Sequence, residues 1–363
     1  MKKIILFLSG IAFLQSCSSQ NEIPADLYPK VEELQSIDDI VQPYIESEWT
    51  HGLSIGIYKN GEYQFYNYGQ LSDEKTTTPD SLSIYEIGSI TKTMTGALLN
   101  LMVEKDEVEF DTSIGEYLPD NLGNWQGEQS ITLEELSTHS SGLPRIPNNM
   151  MLTAITNADN PYKNYKMEHL YKFLKKYEPN NRANRKCDYS NLGAGLLGHI
   201  LALQADKSFE QLLEDELFSP LEMTNSTITF GEEHLKRLAP GHNPAGKPTS
   251  NWDIPTLAGA GAVRSNTLDM LKYIEANIKG SSSLDATHQK RKQFDANHTI
   301  GLGWLTNVSD SDFPITWHNG GTGGYRTYAG FVKDQEIGVV VLSNTAIGVD
   351  QIGYLILRYL EKS

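Results

Sequence analysis

Three short stretches carry side chains suited to one chemistry. Gly88-Ser89-Ile90-Thr91-Lys92 places a Ser and a Lys three positions apart, where a Gly-marked turn runs into an apolar-periodic segment. If a helix begins at or just before Ser89, positions i and i+3 share a face and the Lys92 amine comes within reach of the Ser89 hydroxyl. The helix N-terminus adds free N–H groups and positive potential where an oxyanion would form. Tyr189-Ser190-Asn191 is the second stretch and His318-Asn319-Gly320 the third. A Ser hydroxyl needs a base. Either an unprotonated Tyr189 or Lys92 could take its proton, since a neighbouring cation favours both a phenolate and a neutral amine. Asn191 suits hydrogen bonds to Lys92 and to a substrate carbonyl. Gly320 and Gly321 let a backbone approach a bound substrate closely, and the N–H groups of Ser89 and Gly321 would form an oxyanion hole, a device typically worth roughly 10²–10³-fold in rate.

Each stretch has competitors. Ser72-Asp73-Glu74-Lys75 repeats the Ser–Lys spacing, but in a polar turn with no helical pattern after it. Gly52-Leu53-Ser54-Ile55-Gly56 matches the G-x-S-x-G nucleophile elbow, which requires a strand, a sharp turn and then a helix. Ser54 instead lies inside a strand that continues to a hairpin. Tyr162-Lys163-Asn164 is a second match to the middle stretch. Order and placement favour Ser89, Tyr189 and His318: a Ser at a helix start, a Tyr just before a helix, and a basic residue at the end of a late strand.

The elements that must position them follow from periodicity. Leu34, Ile37, Val41, Tyr44 and Ile45 recur at helical spacing, and the runs 53–58 and 63–68 flank Asn60-Gly61, a preferred hairpin turn. Met94, Ala97, Leu98, Leu101 and Met102 make the segment after Ser89 a core helix. From about 105 to 250 the pattern is mainly helical. Thr132 and Glu135 form a capping box for a short helix that stops at Ser140-Ser141-Gly142-Leu143-Pro144, Leu192 to Leu203 mark another helix, and Phe209 to Leu217 a third ended near Pro220. Past Gly259-Ala260-Gly261 the signal turns to strands, at 315–320, 327–333 and 337–343, before a final helix carrying Ile352, Leu355, Ile356, Tyr359 and Leu360. Strands at both ends and helices between predict one sheet domain with an inserted helical domain, and a cleft between them.

Composition limits the alternatives. The chain has 363 residues, 39% hydrophobic and 21% charged, with no later stretch approaching the roughly 20 apolar residues of a membrane span. Lys2 and Lys3 precede an apolar run over 4–14, too short to span and in the form of a secretory signal. The run ends at Leu14-Gln15-Ser16-Cys17, which resembles a bacterial lipobox. The expectation is a signal peptide over 1–16, lipidation of Cys17, a tether over 17–27, and membrane attachment in the bacterial cell envelope, periplasmic or at the outer membrane. A formal charge of −16 argues against nucleic acid as a partner. Cys187 has no partner and is expected to be a small buried hydrophobe. No H-E-x-x-H or comparable spacing suggests a metal, and no cofactor is expected. His139 is expected to stabilise its loop. Arg326 could meet a substrate carboxylate, or form a surface ion pair.

With the three stretches in this order, the chain resembles the serine β-lactamase and penicillin-binding-protein superfamily, in the branch of class C β-lactamases, DD-carboxypeptidases and related esterases. The similarity extends to Leu136-Ser137-Thr138-His139-Ser140-Ser141-Gly142-Leu143-Pro144, Ala260-Gly261-Ala262-Val263-Arg264-Ser265 and Gly301-Leu302-Gly303-Trp304, nearly the whole chain after the leader. The resemblance implies an α+β fold (α/β sandwich plus all-α): an antiparallel sheet flanked by N- and C-terminal helices, the sheet part from 28–88 and 255–363 and the helical part from 89–254. It implies a monomer that attacks a β-lactam, D-amino-acid peptide or ester through Ser89, with Tyr189 as proton shuttle beside Lys92. A non-turnover penicillin-binding sensor or scaffold is the alternative of another class. Class C β-lactamases carry Lys-Thr-Gly where this chain has His318-Asn319-Gly320, and a His there is more similar to certain DD-peptidases and D-aminopeptidases. A permanent cation is thereby exchanged for a group with a reference pKa of about 6.5.

Overall fold

The computed structural model describes residues 22–122, 125, 130–280, 282–308 and 313–362. The leader over 1–16 and Cys17 lie outside the described residues, as does the first part of the tether.

Ser36 opens helix α1 (Ile37–Ile45) with a capping box to Asp39, which turns Ile37, Ile40, Val41 and Tyr44 onto one buried stripe. Leu34, at helical spacing with them, falls before the helix. Strands β1 (Leu53–Lys59) and β2 (Glu62–Tyr68) form the expected hairpin, and Asn60 and Gly61 both take positive φ at the turn (51° and 90°). Strand β3 (Tyr85–Glu86) leads into a 3₁₀ turn over Gly88–Ile90 and then helix α2 (Thr91–Glu104). Helices α3 (Leu133–Ser137), α4 (Met150–Ile155), α5 (Met167–Leu174), α6 (Asn191–Gln204), α7 (Phe209–Leu213) and α8 (Glu232–Arg237) fill the middle of the chain. Strand β4 (Arg264–Ser265) pairs with β3. Helices α9 (Thr267–Lys279) and α10 (Ser282–His288) follow. The chain then makes β5 (Lys292–Gln293), β6 (His298–Ile300), β7 (Leu305–Asn307), β8 (Thr316–Gly321), β9 (Arg326–Val332) and β10 (Ile337–Ser343), and ends in α11 (Asp350–Lys362).

Eight strands make one antiparallel sheet in the order β2-β1-β10-β9-β8-β7-β6-β5, so the N-terminal hairpin pairs with the last strand of the chain. Strand alternation sorts the side chains. Leu53, Ile55, Ile57, Val339 and Val341 face α1 and α11, where they meet Ile40, Tyr44, Ile352 and Ile356. Ala329, Phe331, Val340 and Leu342 face the other way, onto a larger core with Met94 and Leu98 of α2 and Leu271 and Ile274 of α9. The sheet is thus buried on both faces.

Two features differ from the sequence pattern. The stretch after Gly261 is not all strand: Asn266 caps α9 through the Asp269 N–H, and Met270, Leu271, Ile274 and Ile278 form a helical stripe on the sheet. Strands β5, β6 and β7, of two or three residues each, are too short to show a period and take their form from neighbours already in the sheet.

What positions the site is a close backbone contact between β8 and the turn before α2. A Cβ on Gly320 would land on the Ile87 carbonyl oxygen, which also accepts a 2.9 Å hydrogen bond from the Thr327 hydroxyl. Gly88 has φ +52°, and a Cβ there would sit 2.6 Å from the Gly321 nitrogen. Only glycine meets both requirements. Gly320→Ala is therefore expected to cost about 1–3 kcal/mol by overpacking, read as a lower urea midpoint at unchanged m.

Candidate active site

Ser89 stands in the 3₁₀ turn at the head of α2, whose buried stripe anchors it to the core. Lys92, one turn on and only 2% exposed, donates a 2.9 Å hydrogen bond to the Ser89 Oγ and a 2.6 Å bond to the Ala260 carbonyl. That carbonyl holds the amine in place, because the 258–260 turn packs against α2. The competing serines are committed elsewhere. Ser54 lies within β1 and shares a 2.8 Å bond with the Tyr85 hydroxyl, and the Ser72 Oγ accepts the Lys75 N–H at 3.0 Å in a local turn.

Tyr189 precedes α6, and two loops weld its turn in place. The Ser190 Oγ donates to the Pro144 carbonyl (2.8 Å) and accepts the Gly193 N–H (2.8 Å), capping the helix. The Leu192 N–H donates to the Arg145 carbonyl at 3.1 Å. His139, at φ +56°, receives the Ser190 N–H on Nδ1 (3.2 Å) while its carbonyl accepts the Asp188 N–H (2.8 Å). His139 is therefore the clamp of this loop, its ring 4.5 Å from that of Tyr189. Around the same Tyr189 ring lie the Lys92 Nζ at 4.8 Å, the Arg145 guanidinium carbon at 5.0 Å, and the His318 ring at 6.2 Å.

On β8, alternation turns Thr316, His318 and Gly320 toward α2, and Trp317, Asn319 and Gly321 toward the terminal helices. The His318 Nδ1 faces the Asn319 carbonyl at 2.5 Å, so Nδ1 carries the proton and Nε2 is left as the acceptor. Burial, reinforced by Lys92, pushes the His318 pKa down to about 3, so the ring is neutral at pH 7. Burial, reinforced by the charges of Lys92 and Arg145, holds His139 well below the ordinary range as well. Thr322 donates its N–H to the Tyr325 carbonyl, so ladder alternation points the Gly321 N–H away from β9, on the side where Gly88 packs. Ser89, next to Gly88 in the chain, therefore lies beside Gly321.

Two expectations are corrected. Arg326 pairs with Gly321 on the face of the terminal helices, and its guanidinium donates to the Thr322 and Tyr325 carbonyls, both at 2.8 Å. It braces the β8–β9 turn and points away from Ser89, because it shares the alternation of Tyr328. Asn191 does not bond Lys92. Its Nδ2 donates to the Tyr162 hydroxyl at 3.1 Å, and its Oδ1 is buried without a partner among the described residues. Tyr162, the competing match to the second stretch, therefore lines the site by supporting Asn191, packed on Trp252 at 5.4 Å. Arg145 is the residue that sequence reasoning passed over, although it directly follows the Gly142-Leu143-Pro144 turn. Cys187 is half-buried, and burial raises its thiol pKa. Among the described residues no cluster of three His, Cys, Asp or Glu could hold a metal ion.

Histidines with depressed pKa values shape the acid side of the stability profile. Burial depresses His199 and His288 to about 4, alongside His318 at about 3. The unfolded imidazoles protonate near 6.5 while these folded ones stay neutral, so stability is full above that value and falls as pH drops toward 4, by at most ~1.4 kcal/mol per pH unit for each. Asp350, raised to about 6 by burial, works in the opposite direction. Burial raises Glu86 and Asp269 as well and lowers His139 and His242 with the other three, so three carboxyls oppose five imidazoles. Urea midpoints at pH 7, 6 and 5 are expected to fall in that order, and rate profiles between pH 5 and 8 should show no ionisation lost in His318→Gln.

Comparison with known proteins agrees with this geometry. A family model described as Beta-lactamase matches residues 37–357. The chain is 26% identical to a Beta-lactamase of Providencia stuartii, covering 90% of this chain and 91% of that protein. It is 24% identical to a Beta-lactamase of Escherichia coli K12, covering 85% and 89%. Two solved structures share the fold: a β-lactamase/D-alanine carboxypeptidase from Pseudomonas syringae (TM-score 0.77, 22% identity, 90% of this chain and 98% of that one) and a class C β-lactamase (0.78, 24%, 90% and 94%). A Ser–Lys pair at the head of α2, a Tyr ahead of α6 and a His-Asn-Gly strand end, within a match that spans most of the chain, place this protein in the beta-lactamase family.

Proposed function

We propose that this protein is a serine hydrolase that opens an amide, lactam or ester carbonyl through an acyl-enzyme on Ser89, with β-lactams or D-amino-acid peptides as its substrates. The observation that carries this reading is the 2.9 Å bond between Lys92 and the Ser89 Oγ, at the corner where Gly88 packs on Gly321. The Ser89 Oγ forms a bond to the carbonyl carbon and gives its proton to an unprotonated Tyr189 beside the Lys92 ammonium. The Ser89 and Gly321 N–H groups stabilise the resulting oxyanion. Collapse breaks the bond to the leaving nitrogen or oxygen, which takes the proton back. Water then attacks the acyl carbon, its proton passes through the same base to the Ser89 Oγ, and the acid is released. His318 enters as a neutral acceptor through Nε2, not as a charge.

We propose further that residues 1–16 are removed on export and that Cys17 carries lipid, holding the domain at a membrane of the cell envelope as a monomer. Lys2, Lys3, the apolar run and the Leu14-Gln15-Ser16-Cys17 stretch support this reading.

Fluorescent penicillin is expected to label wild type and to leave Ser89→Ala unlabelled. Equal labelling of both, or none of wild type, overturns the proposal. Parallel turnover of nitrocefin, a D-Ala-D-Ala peptide and a nitrophenyl ester ranks the substrates, and acylation without turnover of any of them would identify a sensor. Cys17→Ser is expected to move the protein from the membrane fraction to the soluble one; retention in the membrane fraction rules out the anchor.

A further inference from the structure

An anionic group on a substrate needs a cation near Ser89, and the expected sources do not supply one. His318 is buried and neutral at pH 7. Arg326 points to the opposite face of the sheet. Lys92 is buried and committed to the Ser89 Oγ and the Ala260 carbonyl. Arg145 remains. Its guanidinium carbon lies 5.0 Å from the centre of the Tyr189 ring, it is partly exposed, and no carboxylate pairs with it among the described residues. In a chain with 46 acidic and 30 basic residues, that is a conspicuous omission.

The position is also rigid. Bonds from Ser190 to the Pro144 carbonyl and from Leu192 to the Arg145 carbonyl tie the backbone of Arg145 to the turn that carries Tyr189. Two cations, Lys92 and Arg145, therefore approach one aromatic ring, at 4.8 and 5.0 Å. Both cations border the same ring, so an anion bound beside it meets positive potential. A guanidinium also offers two parallel N–H donors to a carboxylate.

We infer that Arg145 is the specificity-determining residue that binds the substrate's carboxylate, so that the preferred substrates are acyl compounds bearing a free carboxylate and not their neutral esters. This rests on the reading of Ser89 as nucleophile. Arg145 takes the place of the cation that a Lys at position 318 would have provided, from the helical side of the cleft instead of from the sheet.

The test compares benzylpenicillin with its methyl ester on wild type, Arg145→Met and Arg145→Lys, after urea midpoints have shown that all three are folded. Acylation of Ser89 is followed by mass spectrometry. Arg145→Met should lose about tenfold or more on the carboxylate and less than about twofold on the ester, with Arg145→Lys recovering part of the loss, as expected for a charged hydrogen bond. Equal losses on both ligands would mean that Arg145 acts on Tyr189 and would overturn the inference, as would no loss. A second arm measures calorimetric binding of the same two ligands to Ser89→Ala, where acylation is impossible. There Arg145→Met should weaken the carboxylate alone; unchanged binding, or none to begin with, counts against the inference. Wild type that forms no adduct while this binding depends on Arg145 sinks the nucleophile and spares Arg145. An adduct that forms at a rate indifferent to Arg145 does the reverse.

Discussion

The site depends on one backbone contact, where the end of β8 lies against the turn that precedes α2. The Ile87 carbonyl fills the space that a side chain at position 320 would need, and the Thr327 hydroxyl ties that carbonyl to β9. Ser89 belongs to the helical layer and Gly321 to the sheet, so their separation is set by how closely these layers approach. Gly88 and Gly320 permit the approach. The sheet supplies its rigidity, because β8 is held by β9, β9 by β10, and β10 by β1 from the other end of the chain. A shift of β8 by a fraction of an ångström would be felt through the whole core before it was felt at the site.

Electrostatics around Tyr189 follow from the same crowding. Two cations and two imidazoles surround one ring, and burial keeps both imidazoles neutral, since charging either would add a third cation to a desolvated cluster. His318 therefore acts through the lone pair of Nε2 and His139 through its hydrogen bonds to the Tyr189 turn. With His318 neutral on the sheet wall of the site, the positive charge around Tyr189 comes from Lys92 and Arg145. On the far face of β8, Asn319 donates to the half-buried Asp350 at the head of α11, so the strand that carries His318 is also pinned from behind.

Much of this was legible in the chain. Ser89 and Lys92 announce themselves because i, i+3 spacing at a helix start is a local relation, and the Asn60-Gly61 hairpin, the Thr132–Glu135 capping box and the last two strands are local as well. The helix α9 was also there to be read, in Met270, Leu271, Ile274 and Ile278, but Gly-rich neighbours and the strand signal beyond it masked the period. Strands β5 to β7 could not be read at all, because two or three residues carry no alternation.

The sequence by itself determined the pairing of Ser89 with Lys92, the order of the three stretches and the double-ended sheet, because each rests on short-range geometry or on hydrophobic period. Only the tertiary structure decided which face of the sheet each polar residue meets. Arg326 and His318 are eight positions apart on adjacent strands, yet opposite parity in the ladder sends one away from Ser89 and the other toward it. It also decided that Asn191 turns to Tyr162, that Ala260 holds Lys92, and that Arg145 stands over Tyr189. Those partners come from distant parts of the chain, and no spacing in the sequence encodes the loop packing that brings them together.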